Sequence, residues 1–157
     1  YLKREIVELD RNQVKLRCIG EREGLASDIK RLIDDAERHT KGNSSLTLQI
    51  AVNYGGQREI LQACKRIAQT VADGDMAVDE LDEELFEGYL HTSGIPNPDL
   101  LIRTSGEKRL SNFLLWQAAY AEFVFMDTLW PDFTKDTLIS AIDEFHRRDR
   151  RYGETSG

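Results

Sequence analysis

The sequence predicts a single α/β domain in which a mostly parallel central sheet is flanked by helices. Four apolar runs that are typical of strands alternate with helical patterns of ten or more residues, which is the arrangement of βαβ units. The chain has 157 residues, of which 40% are hydrophobic and 31% charged, and this suits one globular domain with a substantial core. It contains no internal repeat and no linker rich in proline or glycine, so we expect no domain boundary.

The first half of the chain is predicted to begin with two helices and two strands. Apolar residues at helical spacing predict a helix over Tyr1–Leu9, so we expect the chain to begin within a helix. Alternating apolar and polar residues predict a strand over Val14–Ile19. A helix over Ala26–His39 follows, with Ser27 as its candidate N-cap, and Leu46–Tyr54 is the second predicted strand.

A third helix over Ile60–Val71 is predicted to end near Gly74, a residue that suits a helix C-cap. Asp79 is then expected to open a short helix that runs to about Leu90. The third helix carries an apolar stripe at helical spacing, which we expect to face the core. Its inward residues are predicted to be Ile60, Leu61, Cys64, Ile67, Ala68 and Val71.

The second half of the chain is predicted to add two strands and two helices. The strands are Leu100–Arg103 and Glu122–Met126, and a helix is expected between them over Ser111–Tyr120. Thr134 is a candidate cap for a long last helix that reaches about Arg151. All four strands would then form one sheet joined by right-handed crossovers.

Composition excludes several classes of function. The net charge of -7 argues against non-specific nucleic-acid binding, which usually needs a basic face. No apolar run approaches the roughly 18 residues that span a bilayer, and no signal-peptide pattern is visible, so we expect a cytoplasmic protein. His39, His91 and His146 are far apart and lack the spacing of zinc ligands. Cys18 and Cys64 are predicted to be reduced and buried.

The stretch Asp99–Phe113 carries the strongest functional signal. The third predicted strand ends in Arg103, a short loop carries Arg109, and Ser111 opens the next predicted helix. In α/β proteins, anionic ligands are held where strands end and helices begin, and the planar donor fork of arginine suits phosphate oxygens. We therefore predict a phosphorylated ligand at this loop, and an enzyme that handles it.

Structural interpretations stay open for each residue of this loop. Arg103 could serve as an ion-pair partner, although a second nearby cation, Arg109, would repel it unless an anion lies between them. Ser111 could act as a helix N-cap, a role that is compatible with phosphate binding. Glu107 is either a solvated acid or a second carboxylate for a metal, and Lys108 is expected to be solvated.

Glu122 is unusual because its neighbours in AYAEFVFMD are aromatic or apolar. Burial of a carboxylate is costly unless the group is paired or bound to a metal. One interpretation is therefore a buried ion pair, for which Arg103 or Arg109 is a candidate partner. The other is a ligand for Mg²⁺, which prefers one or two carboxylates together with phosphate oxygens.

Three further features have both a structural and a functional interpretation. Gly55-Gly56 lacks the spacing of known phosphate loops and is predicted to be a tight turn, although with Asn53 it could line a cleft. The aromatic corner Asp127–Phe133 is interpreted as core and turn structure. The basic stretch His146–Gly153 either complements the dipole at a helix end or reaches an anion in its own or a partner's cleft.

Three segments resemble the cis-prenyltransferase family, and the likeness is closest to its bacterial undecaprenyl diphosphate synthases. They are NYGGQREI, PNPDLLIRTSGEKRLSNFLLWQAAYAEFVFMDTLWPDF and RRDRRYG, and the resemblance covers essentially the whole chain. It implies a reaction in which isopentenyl diphosphate is condensed repeatedly onto farnesyl diphosphate with Mg²⁺. It also implies a homodimer that makes a lipid carrier for peptidoglycan in the cytoplasm, with loose membrane association for product delivery.

The same resemblance implies roles for the residues already singled out. Arg103, Arg109 and Ser111 look like the residues that hold isopentenyl diphosphate. Glu122 looks like the carboxylate that helps to hold Mg²⁺, and Glu107 like a nearby acid that supports that site. Both assignments agree with a phosphate-handling loop next to an acid in apolar surroundings.

The C-terminal element of the family pattern is present in this chain, whereas two upstream segments of the pattern are absent. Arg151 and Gly153 are similar to a C-terminal RxG element that completes the site across the dimer, and Leu46 is a candidate for the tunnel wall. The family's DGNGRWA loop with its catalytic aspartate is absent, as is its SxENWxR segment. We therefore expect this chain to be the C-terminal two-thirds of one synthase domain and to be inactive by itself.

Two other functions are compatible with parts of the pattern. A non-catalytic partner subunit of a prenyltransferase complex would keep the fold and the C-terminal element, but it would tend to lose the substrate-binding residues. Intact Arg103, Arg109, Ser111 and Glu122 argue against that function. A small phosphate-binding module is the second alternative, and nucleotide binding without isopentenyl diphosphate binding would favour it.

Overall fold

A computed structural model describes residues 2–148, with side chains from residue 5 onwards. No helix in this part of the chain is both long and apolar enough to cross a bilayer. Short 3₁₀ turns lie at Val78–Glu80 and Trp130–Asp132. The helices are α1 Leu2–Arg11, α2 Ser27–Thr40, α3 Gly56–Ala72, α4 Glu83–Gly88 and α5 Lys135–His146; the strands are β1 Val14–Ile19, β2 Leu46–Ala51, β3 Leu100–Arg103 and β4 Glu122–Phe125.

The strands pair in parallel, as the sequence predicts. β1 pairs with β2 along its whole length, and β3 pairs with β4 in the same way. The two pairs form separate two-stranded sheets, one in each of two compact units, Tyr1–Ser93 and Gly94–Gly157. The α/β class and the parallel pairing are therefore confirmed, while the four strands are divided between two sheets.

In the first unit, α2 packs against β1, and buried residues of α3 and of the segment after α4 add to the core. Thr40 at the end of α2 is fully buried and links the two elements. Its hydroxyl accepts a hydrogen bond from the Leu16 amide at 3.0 Å and donates one to the Ala36 carbonyl at 2.9 Å, so the buried oxygen is satisfied. The buried apolar residues of this unit are Leu16, Ile19, Ile33, Ala36, Ala63, Ile67 and Leu90.

In the second unit, α5 packs against β4. The predicted cap of α5 is confirmed, because the Thr134 hydroxyl accepts from the Thr137 amide at 3.3 Å. The helix ends at His146, earlier than the sequence predicts. The backbone amide of Arg147, the next residue, donates to three preceding carbonyl oxygens, which tightens the last turn. Arg151, the predicted end, lies outside the described residues.

The predicted cap at the start of α2 is wrong, whereas the predicted end of α3 is confirmed. Ala26 occupies the N-cap position of α2, with no side-chain acceptor, and Ser27 is already the first helical residue. Gly74 follows α3 with a φ of 81°, and its amide donates to the Val71 carbonyl at 3.1 Å. This left-handed position suits glycine because it carries no Cβ.

The single helix predicted from Asp79 to about Leu90 is instead two short elements. A 3₁₀ turn at Val78–Glu80 is followed by α4. Asp82 caps α4, and its carboxylate accepts a hydrogen bond from the Leu85 amide at 2.8 Å. Asp82, and not Asp79, therefore supplies the capping group of the helix, and the chain turns between the two elements.

The predicted inward face of α3 is partly wrong. Leu61 is 55% exposed, and Cys64 and Ala68 are also exposed, although all three are predicted to face the core. The buried side of α3 contains Ala63 and Ile67, and one turn earlier Glu59. Because Glu59 is charged, a prediction from apolar residues alone does not assign it to the buried face. The predicted buried face of α3 is therefore rotated away from the observed one.

The helix predicted over Ser111–Tyr120 is wrong, because this segment forms irregular turns. Ser111, Asn112 and Leu114 have φ values of 51°, 62° and 46°, which lie in the left-handed region. Residues in that region cannot continue a right-handed helix. Ser111 is therefore not a helix N-cap, and the segment 111–120 supplies no helix N-terminus to bind an anion.

The two cysteines differ in exposure, and we expect them to differ in reactivity. Burial and then the Glu37 carboxylate raise the pKa of the Cys18 thiol, while Cys64 is exposed on α3. Because the thiolate is the nucleophile, iodoacetamide at pH 8 should alkylate Cys64 at least about tenfold faster than Cys18. Peptide mass spectrometry of a labelling time course tests this, with Cys64→Ser as the control, and equal rates would contradict it.

Candidate functional site

The loop after β3 is fixed to the segment after β4 by backbone hydrogen bonds. The Ser105 amide donates to the Thr128 carbonyl and the Gly106 amide to the Met126 carbonyl, both at 2.9 Å. Ser105 and Gly106 have φ values of 66° and 67°, and a Cβ on Gly106 would lie 3.2 Å from the Asp127 carboxylate. Since both amides are already bonded, this turn offers side chains rather than these two backbone donors to a ligand.

Arg103 and Arg109 occupy opposite ends of this loop. The Arg103 Nη1 donates to the Arg109 backbone carbonyl at 2.5 Å, and no salt bridge of the described residues includes Arg103. Arg109 Nη1 instead pairs with Glu107 Oε2 at 2.5 Å, with both side chains exposed. An exposed pair of this kind contributes at most about 1 kcal/mol, so an anionic ligand can displace Glu107 from Arg109.

A cavity of about 630 Å³ opens beside the loop in the second unit. Its size lies within the range of about 300–1,000 Å³ that is typical of ligand pockets. Arg103, Thr104 and Ser111 supply polar groups to a wall that is otherwise apolar, while Arg109 is not part of the lining. The lining residues are Leu101, Ile102, Arg103, Thr104, Leu110, Ser111, Phe113, Trp130, Phe133 and Leu138.

The aromatic corner lines this cavity and is not core. Trp130 is 72% exposed and stacks on Phe133, with ring centroids 5.4 Å apart. Trp130 begins a 3₁₀ turn whose N-cap, Leu129, is also exposed. The interpretation of the corner as core is therefore wrong for Trp130, whose ring stays largely uncovered by the described residues of the second unit, whereas its interpretation as turn structure is confirmed.

Glu122 at the start of β4 forms an ion pair with Arg148. Arg148 Nη1 lies 3.1 Å from Glu122 Oε2 and donates to the Phe123 carbonyl at 2.7 Å, while Nη2 pairs with Glu144 on α5. Hydrogen bonds to Glu122 and then Glu144 raise the pKa of the Arg148 guanidinium. The ion-pair interpretation of Glu122 is confirmed, with Arg148 in place of the two loop arginines, but the expected burial is wrong because both side chains are only half-buried.

The first unit contains a buried polar cluster that the sequence analysis did not identify. Glu59 is 2% exposed, and its carboxylate accepts from the Tyr54 hydroxyl at 2.5 Å and the His91 amide at 2.7 Å. His91 Nδ1 in turn accepts from the Gly20 amide at 3.1 Å. The available signal was that Glu59 lies one helical turn before Ala63, on the same side of α3.

Comparison with known sequences identifies the family. Residues 1–153 match the Prenyltransf (undecaprenyl diphosphate synthase) family. The chain belongs to this prenyltransferase family. It is 51% identical over 153 residues to an isoprenyl transferase of Agrobacterium fabrum, an alignment that covers 98% of this chain and 62% of that protein.

Two further members of the prenyltransferase family extend the comparison. A ditrans,polycis-undecaprenyl-diphosphate synthase of Pseudomonas aeruginosa, named as specific for (2E,6E)-farnesyl diphosphate, is 47% identical over 155 residues, covering 99% of this chain and 62% of that protein. A similar solved structure is the crystal structure of lavandulyl diphosphate synthase from Lavandula x intermedia in complex with dimethylallyl diphosphate. Its TM-score is 0.93 and its sequence identity is 38%, and the match covers 98% of this chain and 66% of that chain. The chain thus spans about 62% of the length of the curated relatives it matches.

The Glu122 carboxylate is the candidate ligand for the Mg²⁺ that the resemblance to prenyltransferases implies. The described residues contain no group of three or more metal-ligating side chains, and Glu107 is paired with Arg109. Mg²⁺ is nevertheless commonly bound by one or two carboxylates together with substrate phosphates. Glu122 fits this sparse contribution by donor type, because its ion pair with Arg148 involves Oε2. It pairs with Leu100 at the opposite end of β3 from Arg103, however, and does not line the cavity.

Other predicted positions of the prenyltransferase pattern have separate outcomes. Arg151 and Gly153 lie outside the described residues. Gly55 is the extended N-cap of α3 and Gly56 is its first residue, so the glycine pair lies where the strand hands over to the helix, but the pair itself does not form a tight turn. The Asn53 side chain donates to the Glu21 carbonyl at 3.3 Å. Leu46 is 58% exposed on β2, and its role in a tunnel wall stays a prediction.

Proposed function

We propose that the protein is an isoprenyl transferase that condenses isopentenyl diphosphate with farnesyl diphosphate. Its product would be undecaprenyl diphosphate, the long cis-polyprenyl precursor of the lipid carrier for bacterial cell-wall synthesis. Membership of the prenyltransferase family supports the reaction class. The observation that carries the proposal is the cavity beside Arg103, because cationic and apolar surfaces meet there in one site.

The two sides of this cavity suit the two ends of an isoprenyl diphosphate. The Arg103 guanidinium and the Ser111 hydroxyl can donate hydrogen bonds to diphosphate oxygens. Apolar residues such as Phe113 and Leu138 can bury the hydrocarbon part. Arg109 would add a second cation by exchanging Glu107 for phosphate, so the loop would act mainly by holding isopentenyl diphosphate in position.

Mg²⁺ is the cofactor of this proposal, held by Glu122 together with phosphate oxygens of the substrate. When bound, it would stabilise the negative charge that develops on the departing diphosphate. Arg148 would fix the orientation of the Glu122 carboxylate, because its guanidinium also donates to the adjacent Phe123 carbonyl. Glu107 would support the site indirectly, through its ion pair with Arg109.

The proposal extends to the organisation of the whole protein. Residues 1–157 would form the C-terminal part of one cis-prenyltransferase domain, in line with the greater length of the relatives. Two copies would form a homodimer in which Arg151 and Gly153 complete the partner's site. The enzyme would be cytoplasmic, with loose membrane association that allows delivery of the apolar product.

An assay with labelled isopentenyl diphosphate, farnesyl diphosphate and Mg²⁺ tests the proposed reaction in the purified full-length protein. We expect label in solvent-extractable prenyl diphosphates, whose length thin-layer chromatography would report. Short products would contradict the undecaprenyl assignment, and absence of turnover would favour a non-catalytic partner subunit. The prediction that the 157-residue chain alone is inactive would be contradicted by Mg²⁺-dependent turnover of that isolated chain.

Replacement of Glu122 by glutamine should raise the Mg²⁺ concentration required for half-maximal activity by about tenfold or more, because an amide is a weaker ligand for a hard cation. Titration of activity with Mg²⁺ measures this effect. Glu144→Gln is the matched control, since it removes the other carboxylate paired with Arg148 but no proposed ligand. Equal changes in Mg²⁺ dependence for both variants would assign Glu122 a structural role only.

A further inference from the structure

An apolar groove of about 430 Å³ lies along α3 in the first unit, away from the arginine loop in sequence and in a different unit. One wall consists of α3 residues spaced i, i+3, i+4 and i+7, which span two turns or about 10 Å. The segment after α3 and α4 form the other wall. The lining residues, all apolar or cysteine, are Cys64, Ile67, Ala68, Val71, Val78, Leu81 and Phe86.

Much of this apolar surface faces solvent in the first unit. Val78 is 70% exposed and Leu81 is 39% exposed, and Cys64 on the opposite wall is also exposed. Contiguous exposed apolar surface of this kind marks interaction sites, because burial against a partner is favourable. The lining residues carry no charge, and the weakly donating Cys64 thiol is their one polar side-chain group, so little in the lining would orient a small polar ligand.

The groove is bordered by the most acidic stretch of the chain. Residues 67–90 include eight acidic side chains and no lysine or arginine. The whole chain has 28 acidic and 21 basic residues, so the remainder without these eight holds 20 acidic and 21 basic ones. The entire net negative charge is therefore concentrated here, at Asp73, Asp75, Asp79, Glu80, Asp82, Glu83, Glu84 and Glu87.

Three of these carboxylates accept hydrogen bonds from neutral donors. Asp73 accepts from the Gln69 side chain at 2.8 Å, Glu80 from the Ala77 amide at 2.6 Å, and Asp82 from the amide at the start of α4 at 2.8 Å. Neutral donors leave the negative charge of a carboxylate uncompensated. A cationic partner would therefore gain electrostatic attraction at the border of the groove.

We propose that this groove docks a basic amphipathic helix of a partner protein. Such a helix presents apolar side chains at i, i+3, i+4 and i+7, the same spacing as the α3 wall between Cys64 and Val71. Lysine and arginine on its flanks would meet the acidic border. An anionic membrane or nucleic acid would be repelled by eight carboxylates, and a small apolar ligand would gain nothing from them.

A fluorescent 18-residue helix of leucine and lysine, with leucine at the four anchor spacings, provides the probe. We expect the purified protein to bind it in fluorescence anisotropy, with an affinity that falls as salt is added. A peptide of the same composition in scrambled order keeps the charge but has no apolar face. It should bind at least about tenfold more weakly, since only apolar burial distinguishes the two peptides.

Two arginine substitutions on α3 locate the binding surface. Ala68→Arg places a cation inside the groove and should weaken binding of the leucine–lysine helix by about tenfold or more. Leu61→Arg adds the same charge at an exposed position of α3 that does not line the groove, and it should change binding less than twofold. Circular dichroism of both variants verifies that they fold.

Several outcomes would overturn the proposal. Equal binding of the ordered and scrambled peptides, or equal effects of Ala68→Arg and Leu61→Arg, would reduce the interaction to non-specific charge attraction. A self-association that Ala68→Arg abolishes in analytical ultracentrifugation would make a second copy of this chain the occupant. A failure of the ordered peptide to bind at low salt would remove the groove as a site for a basic helix.

Discussion

Arg103→Ala is expected to raise the KM for isopentenyl diphosphate by about 10- to 100-fold and to leave the KM for farnesyl diphosphate nearly unchanged. Hydrogen bonds from a charged donor contribute about 1.5–3 kcal/mol, which corresponds to that range. The side chain lines the cavity and also holds the Arg109 carbonyl, so its removal would loosen the loop as well. Steady-state kinetics with each substrate varied in turn would measure both constants.

Two variants of the same loop control this experiment. Lys108→Ala removes a cation from an exposed position outside the cavity lining and should change either KM less than about twofold. Arg103→Lys keeps the charge but loses the planar fork of donors, so it should restore only part of the affinity. Equal losses for both substrates in Arg103→Ala would show that the loop serves the other substrate, or both.

Gly20→Ala is expected to lower the free energy of unfolding by about 3 kcal/mol or more and the Tm by roughly 6–12 °C. Gly20 follows β1 with a φ of 108°, and an added Cβ would lie only 2.1 Å from the Val52 carbonyl oxygen. The backbone would have to separate there. The hydrogen bond from the Gly20 amide to His91 Nδ1 would be disturbed at the same time.

Gly24→Ala is the matched control for this prediction. Gly24 also has a positive φ, of 83°, but an added Cβ would meet no heavy atom within 4 Å. It should therefore cost only the backbone strain, about 1 kcal/mol. Urea or thermal unfolding followed by circular dichroism compares the two variants, and similar losses would show that the close approach to Val52 is relieved without cost.

Strands could be predicted well from this sequence because their signal is local. Alternation and short apolar runs predict β1 and β3 at the observed bounds, and β4 within one residue. The second strand ends at Ala51 rather than Tyr54, because Asn53 adopts a left-handed φ of 49°. The Asn53 side chain donates to the Glu21 carbonyl, far along the chain, and no local pattern contains that contact.

The failures share a different physical cause. The segment after Ser111 has apolar residues at helical spacing, yet left-handed backbone angles at three positions prevent a helix. Glu59 is buried because Tyr54 and His91 satisfy the hydrogen bonds of its carboxylate. A prediction based on residue polarity therefore assigns the wrong buried face to α3. The exposure of the Trp130 side chain depends on which other elements pack over its ring. Each outcome is decided by tertiary contacts, which propensity and periodicity do not describe.

The candidate site was predicted at the level of residue types rather than contacts. The arginines and the serine were singled out because strand ends commonly bind anions, and Arg103 and Ser111 do line one cavity. The partner of Glu122 could not be predicted, since Arg148 lies 26 residues away and approaches only when α5 packs on β4. Pairing of Arg109 with Glu107 likewise needed the loop conformation.

The turn at Ser105 and Gly106 has a consequence for how this site can change over evolutionary time. Its two amides are committed to the carbonyls of Thr128 and Met126, so the backbone framework is independent of what the loop binds. The anion recognition that we propose would then depend on individual side chains such as Arg103. Selection can therefore alter substrate preference by single substitutions while the scaffold is inherited intact.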